Sequence, residues 1–262
     1  MHHEAVQSQQ QDGRDARAWL SVIVPTLNEA RSVGATLDAL RGACGTAEVE
    51  VIVVDGGSRD ATVEVAQAHG ARVISSERGR GVQMRVGARA ARGASDVLWF
   101  LHADTMPPTD ALALIRQALL DARVVGGNFA LRFDGARPAA RLMTWLYPQL
   151  RRLGLCYGDS AFFVRRAAYE AVGGFQAFPL FEDLDLARRL RRRGRFDCVP
   201  GEVITSSRRF EGRSFALMFA RWATLQVLYW IGVPPRTLCR LYAPVRSGHG
   251  HGGEREDTLN QT

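Results

Sequence analysis

The stretch LSVIVPTLNEA, residues 20–30, decides how the rest of the chain is read. Residues 20–24 are a near-continuous apolar run of strand length, broken only by Ser21, the pattern of a strand covered on both faces in a parallel sheet. The run is followed by PTLNEA and not by a glycine-rich turn, which disfavours a dinucleotide-binding or methyltransferase-type Rossmann unit. A second apolar run occupies 49–54 and ends in DGGS. Between the two, NEARSVGATLDAL carries leucines and alanines at helical intervals, with Asn28 as its expected cap.

Further along, DATVEVAQAHG reads as a helix closed by Gly70, ARVISS as a strand, VQMRVGARAARG as a helix and DVLWFL as a fourth strand. The series βαβαβαβ predicts a doubly wound α/β sheet. The second half is less regular, with a strand near 124–133, a helix near 138–150, a strand at 161–164 and a helix starting at Glu182. There is no internal repeat and no Pro/Ser-rich linker, so one domain is expected over 19–243, its C-terminal part (214–243) being apolar helices. Residues 1–18 and 244–262 read as disordered, with His249 and His251 solvated there.

Composition bounds the function. The chain has 262 residues, 46% hydrophobic and 23% charged, enough for a substantial core. The opening residues lack the apolar segment of a secretory signal or anchor, so a cytoplasmic protein is expected. Cys44, Cys156, Cys198 and Cys239 have neither CxxC nor zinc-ligand spacing and read as free thiols. The net charge of +7 is carried by arginine alone, since the chain has no lysine. Guanidinium forks favour an anionic small molecule or membrane surface, while dispersed arginines without interleaved aromatics disfavour nucleic acid. The dense run ARRLRRRGR at 187–195 reads as the solvated face of a packed helix.

The segment FALMFARWATLQVLYWIGV, 215–233, is about long enough to cross a bilayer, which takes roughly 20 apolar residues, but Arg221 interrupts it. Arginine at a helix centre costs on the order of 3 kcal/mol on insertion scales. Core or dimer packing, an interfacial contact and a membrane span are the three readings, in that order.

Polar residues gather where the strands end, the place where open α/β sheets bind ligands. Strand one ends in Pro25, Thr26, Leu27, Asn28 and Glu29, strand two in Asp55, Gly56, Gly57 and Ser58. Strand three leads to Arg78 and Arg80, and strand four to His102 and Asp104. Any one of these is explained by turn chemistry alone. Four on one edge point to a site.

These residues resemble a family. SVIVPTLNEA, VIVVDGGSRDAT, RGRGVQM, FLHADT, the YGDSAFFVRR block, FEDLDLARRL and the SSRRF block follow the order and spacing of inverting family-2 glycosyltransferases of GT-A fold. The likeness extends over residues 20–243 and is nearest the bacterial radical-SAM/selenodomain-associated, or arsenosugar-biosynthesis-type, subgroup. It implies a UDP- or GDP-sugar donor and a small hydroxyl or lipid-linked acceptor. It further implies a divalent cation, Mn2+ or Mg2+, and admits peripheral membrane contact and a homodimer. By the same resemblance, residues 25–29 and Asp55 bear on base and ribose, and Gly56 and Gly57 allow close backbone approach. Arg78, Arg80 and Gln83 lie in the donor-binding block; a mobile basic loop is the structural alternative for the arginines. His102, Ala103 and Asp104 stand at the metal motif, where the family's first Asp is replaced by His102. In a strand, residues two apart share a side, so one ion could meet both groups; imidazole favours manganese over magnesium. The Glu182–Asp183 pair supplies the general base, matched by Asp183, although acidic residues there also suit a helix N-terminus. Gly127, Asn128, Gly158 and Asp159 are implied to shape the sugar and acceptor pocket, and Arg209 to close over the donor. A non-catalytic nucleotide-sugar-binding protein is the reading from a different class.

Overall fold

The structure, a computed structural model, describes residues 19–45, 49–93, 95–135, 137–152, 158–208 and 214–241. Strand β1 (Leu20–Thr26) lies between β2 (Val49–Asp55) and β4 (Val97–Phe100), parallel to both, and β3 (Arg72–Ser75) extends the sheet beside β2. Helices α1 (Val33–Cys44), α2 (Thr62–Ala68) and α3 (Arg80–Ala90) make the crossovers. The apolar runs are buried on both sides, as their lack of alternation required. Leu20, Val22 and Val24 enter one core cluster with Leu37 and Leu40 of α1, while Ile23, Ile52 and Val54 enter the other with Met84 and Ala88 of α3. Helix α3 rides close on the sheet because Gly87 has no side chain; a Cβ there would lie 2.4 Å from Ile23 Cγ2.

One expected boundary is corrected. Asn28 does not cap α1, whose N-cap is Ser32. Asn28 takes a left-handed φ of 55°, which asparagine tolerates better than most residues. Its Oδ1 accepts the N–H of Arg59 at 2.8 Å, and its own N–H donates to Ser58 Oγ at 2.8 Å. The asparagine ties together the loops that follow β1 and β2.

The second half adds β5 (Thr105–Met106), α4 (Ala111–Ala118), β6 (Val124–Phe133), α5 (Pro138–Arg152), a 3₁₀ turn (Gly158–Ser160), β7 (Phe162–Arg165), α6 (Arg166–Ala171), α7 (Glu182–Arg191), β8 (Arg195–Thr205), α8 (Phe215–Trp230) and α9 (Pro235–Leu241). The sheet order is β3-β2-β1-β4-β7-β6-β8-β5; β7 and β5 run against the other strands. Strand β8 escapes a sequence reading because Pro200 and Gly201 interrupt it. Its pairing with β6 passes from Asn128↔Cys198 to Ala130↔Glu202, so those residues bulge out of register.

Helix α8 turns Phe215, Met218, Leu225 and Tyr229 toward the protein and leaves Leu217, Val227 and Trp230 exposed, followed by exposed Ile231. Arg221 lies among the exposed positions. The inner positions of the segment pack on the core, and the exposed ones remain open to the dimer or interfacial reading. Among the described residues no helix is long and apolar enough to cross a membrane. Cys44, Cys198 and Cys239 are free, as expected, and burial pushes the Cys44 thiol up to about 11. Cys156 and the expected disordered ends lie outside the described residues.

Candidate active site at the strand ends

Parallel registration brings the ends of β1, β2 and β3 level, with Thr26 opposite Asp55 and Asp55 opposite Ser75. Asp55 is nearly enclosed there, and its carboxylate organises the turn that follows. One oxygen accepts the N–H groups of Gly57 (3.0 Å) and Ser58 (2.8 Å), the other the hydroxyls of Ser58 (2.5 Å) and Thr26 (3.2 Å). Gly57, at φ 87°, makes that turn possible. Buried Gln83 donates to the carbonyls of Thr26 (2.7 Å) and Val54 (2.8 Å), and Gly56 faces its amide, where a Cβ would come within 3.0 Å. Gln83 thereby supplies donors to two carbonyls at the ends of neighbouring strands.

A cleft of about 240 Å³ opens beside these ends, lined by Pro25, Thr26, Leu27, Glu29, Arg78, Gly79, Arg80, Gln83, His102, Ala103 and Asp104. Ten of the expected donor-site residues meet in it. Asn28, Asp55, Gly56 and Gly57 are not in its lining; Asn28 and Asp55 hydrogen-bond the adjoining loops.

The geometry of FLHADT differs from the strand expected for it. Strand β4 stops at Phe100, and Thr105 donates its N–H to the carbonyl of His102 at 3.2 Å, so residues 102–105 form a turn. His102 and Asp104 are brought to the cleft by that turn and not by strand alternation. His102 Nδ1 lies 3.1 Å from Oδ1 of Asp159, while its Nε2 is buried and has no hydrogen-bond partner among the described residues. Asp104, partly exposed, accepts from Arg208 Nη2 at 3.0 Å, and the same nitrogen bonds Glu29 of the β1 loop. Burial alone would lower the Arg208 pKa, but the hydrogen bond and charge of Glu29 and the charge of Asp104 raise it. The SSRRF motif gives Arg208 no role of its own, since nothing in its local sequence pairs it with residues 29 and 104.

Arg80 forms the other charged centre. Its Nε bonds Glu182, Nη2 lies 3.8 Å from Asp183 Oδ2, and Nη1 lies 3.8 Å from Asp159 Oδ1. Burial acts to lower its pKa, yet the charges of Glu182, Asp183 and Asp159 raise it above the ordinary arginine value. Glu182 and Asp183 are buried, with Asp185, in the first turn of α7, where the free N–H groups and helix dipole favour negative charge. Asp183 Oδ1 accepts the N–H of Leu184 at 2.7 Å. Phe181, just before them, has a φ of 62° and packs against Tyr229 of α8 with ring centroids 4.9 Å apart. A bulky residue held in the left-handed region costs on the order of 1–3 kcal/mol and persists where its surroundings hold it.

Gly127 and Asn128 lie inside β6. Fully buried Asn128 donates from Nδ2 to Ser160 Oγ at 2.8 Å, which anchors the Gly158–Ser160 turn that carries Asp159. Arg209 lies outside the described residues.

Among the described residues no three His, Cys, Asp or Glu side chains cluster as a complete ion cage. Divalent ions that also bind phosphates commonly take only one or two protein ligands. The unpartnered Nε2 of His102 and the carboxylate of Asp104 fit that arrangement.

Residues 21–171, more than half the chain, match the model of "Glycosyl transferase family 2". The chain is 31% identical over 129 residues to an undecaprenyl-phosphate 4-deoxy-4-formamido-L-arabinose transferase of Pseudomonas fluorescens, covering 45% of this chain and 38% of that protein. It is 34% identical over 102 residues to a glucosyl-3-phosphoglycerate synthase of Mycolicibacterium smegmatis, covering 39% and 31%. The matched part thus spans only about a third of these relatives. The structure of Mycobacterium tuberculosis glucosyl-3-phosphoglycerate synthase with Mn2+, UDP and glucosyl-3-phosphoglycerate superposes with a TM-score of 0.58 at 21% identity, over 86% of this chain and 84% of that one. That likeness establishes the GT-A fold. A family match running from β1 through α6, across a sheet whose strand ends gather these polar groups, places the chain in glycosyltransferase family 2.

Proposed function

We propose that the chain transfers a sugar, with inversion, from a UDP- or GDP-sugar to a hydroxyl acceptor. The observation that carries this reading is the cleft at the strand ends, where Arg78, Arg80, His102 and Asp104 are gathered beside the Asp159, Glu182 and Asp183 carboxylates. Pro25 to Glu29 and the Asp55 turn would receive base and ribose, and the guanidinium groups suit phosphate oxygens. Asp183 would take the proton of the acceptor hydroxyl as that oxygen bonds to the anomeric carbon. The anomeric carbon–oxygen bond to the diphosphate breaks on the opposite side, and its electron pair leaves with the diphosphate. His102 Nε2 and Asp104 would hold Mn2+ or Mg2+, which when bound supplies positive charge to the leaving diphosphate.

The test is Asp183→Asn, which keeps the shape and removes the base. Transfer should vanish while donor binding, followed by calorimetry, persists; near-normal turnover would eliminate Asp183 as base. A donor that binds without hydrolysis or transfer in the wild type would favour the nucleotide-sugar-binding alternative. Thermal-shift screening of nucleotide sugars with and without Mn2+ would identify base, sugar and ion together, since a ligand that binds the native state stabilises it.

A lipid-linked acceptor is the second reading, supported by the exposed Leu217, Val227, Trp230 and Ile231 beside exposed Arg221. On it, the protein works from the cytoplasmic side of a membrane, in peripheral contact. Flotation with anionic liposomes decides: a protein that stays at the bottom of the gradient serves a soluble acceptor. The radical-SAM-associated, arsenosugar-type assignment belongs to the soluble branch and rests on the resemblance of the motifs.

A further inference from the structure

We infer that Asp159 is a positioning residue for the cation site: it fixes the His102 imidazole with its proton on Nδ1, so that the bare Nε2 lone pair faces the ion. The inference rests on the metal-assisted reading above and adds the residue that sets the ligand's state.

An ionised carboxylate only accepts hydrogen bonds. His102 Nδ1 lies 3.1 Å from Asp159 Oδ1, so close that a ring lone pair there would be repelled by the carboxylate, which favours the proton on Nδ1. Arg80 Nη1, 3.8 Å from the same oxygen, adds positive charge beside it, which favours the ionised carboxylate. In neutral imidazole, a proton on Nδ1 leaves Nε2 as a lone pair. That nitrogen is buried and without a hydrogen-bond partner among the described residues. A buried polar atom without a partner is costly, and an incoming electrophile would satisfy it. Carboxylates that orient metal-binding histidines in this way commonly govern the affinity of the site.

Asp159 is itself held firmly. Its turn is fastened by the buried Asn128–Ser160 hydrogen bond and followed by Ala161, fully buried at a left-handed φ of 53°. Backbone strain of this kind, on the order of 1–3 kcal/mol, is kept where a side chain must be placed. The family's first metal-motif carboxylate needs no such partner because it has no tautomers; the change to His102 creates the need.

The experiment uses the full chain. Two-bond proton–nitrogen correlation spectra at pH 8, with His102 assigned by its loss in His102→Gln, report which ring nitrogen carries the proton. In parallel, Mn2+ is titrated in the presence of inorganic pyrophosphate. The wild type should show the Nδ1–H form, and Asp159→Ala should move it toward Nε2–H and weaken Mn2+ binding by about 10- to 100-fold. Asp159→Asn, whose amide oxygen still accepts, should recover much of that loss. In the His102→Gln background, Asp159→Ala should leave Mn2+ affinity unchanged. An Nε2–H form or an imidazolium in the wild type, or an equal loss in both backgrounds, would overturn the inference. Failure of the underlying reading looks different: the Nδ1–H form present, but no Mn2+ bound by the wild type.

Discussion

Arg80→Met removes the guanidinium that lies within 4 Å of three carboxylates, and its cost can be worked from the structure. The side chains of Glu182, Asp183 and Asp159 are 2%, 4% and 9% exposed, so water screens them little, while Arg80 itself is 38% exposed. Opposite charges 3.8 Å apart attract by about 4 kcal/mol at an effective dielectric constant of 20. Exposure of Arg80 reduces that, and breaking a buried pair costs about 3–5 kcal/mol in practice, so about 3 kcal/mol is expected at pH 8. For a chain of this size that is about 6–12 °C in Tm. The sign of the pH dependence follows from linkage. Arg80, with its pKa raised, keeps its contribution below the ordinary arginine value and so across the whole working range. In the variant, three buried carboxylates lose their shared cation and repel one another. The gap to wild type is read by urea unfolding at pH 8. A gap under about 1 kcal/mol would refute the assignment of Arg80 to the acidic cluster.

Arg208→Gln should strengthen Mn2+ binding in the absence of nucleotide by about two- to fivefold, because a partly exposed ion pair competes for Asp104 with up to about 1 kcal/mol. Weaker binding by calorimetry would mean that Arg208 assists the ion instead. Gly127→Ala should cost about 3 kcal/mol in urea unfolding, since its Cβ would meet the Asp197 carbonyl oxygen and Phe163 Cζ, each at 2.5 Å. A loss below about 1 kcal/mol would show that β6 can shift away from β8.

The degree to which each part could be read from sequence follows its range of interaction. Strands β1, β2 and β4 are legible because burial on both faces writes itself as near-continuous apolar runs, with buried Ser21 and Glu50 the interruptions in β1 and β2. The crossover helices carried period and stop signals, with Gly70 at φ 74° closing the turn after α2. Strand β8 was not legible, since Pro200 and Gly201 read locally as breakers and only pairing with β6 makes the segment a strand. The start of α1 is not legible in the sequence because Asn28 suits a cap as well as a left-handed loop, and Ser58 and Arg59 in the loop after β2 decide between them.

The same division holds at the site. Most of the residues that line the cleft follow from the strand-end pattern, because parallel strands end together and their following loops carry the polar groups, while Gln83 and Ala103 are marked only by the family resemblance. What those side chains do was decided by tertiary structure. Arg80 and Glu182 are 102 residues apart, and Arg208 and Glu29 are 179 apart; no local pattern encodes either pair. By itself, the sequence determined the α/β sheet and the edge at which chemistry can occur, since both follow from short-range burial and turn preferences. Only the folded chain placed Asp159 against His102 and three carboxylates around one arginine, because those contacts depend on where distant loops meet in space.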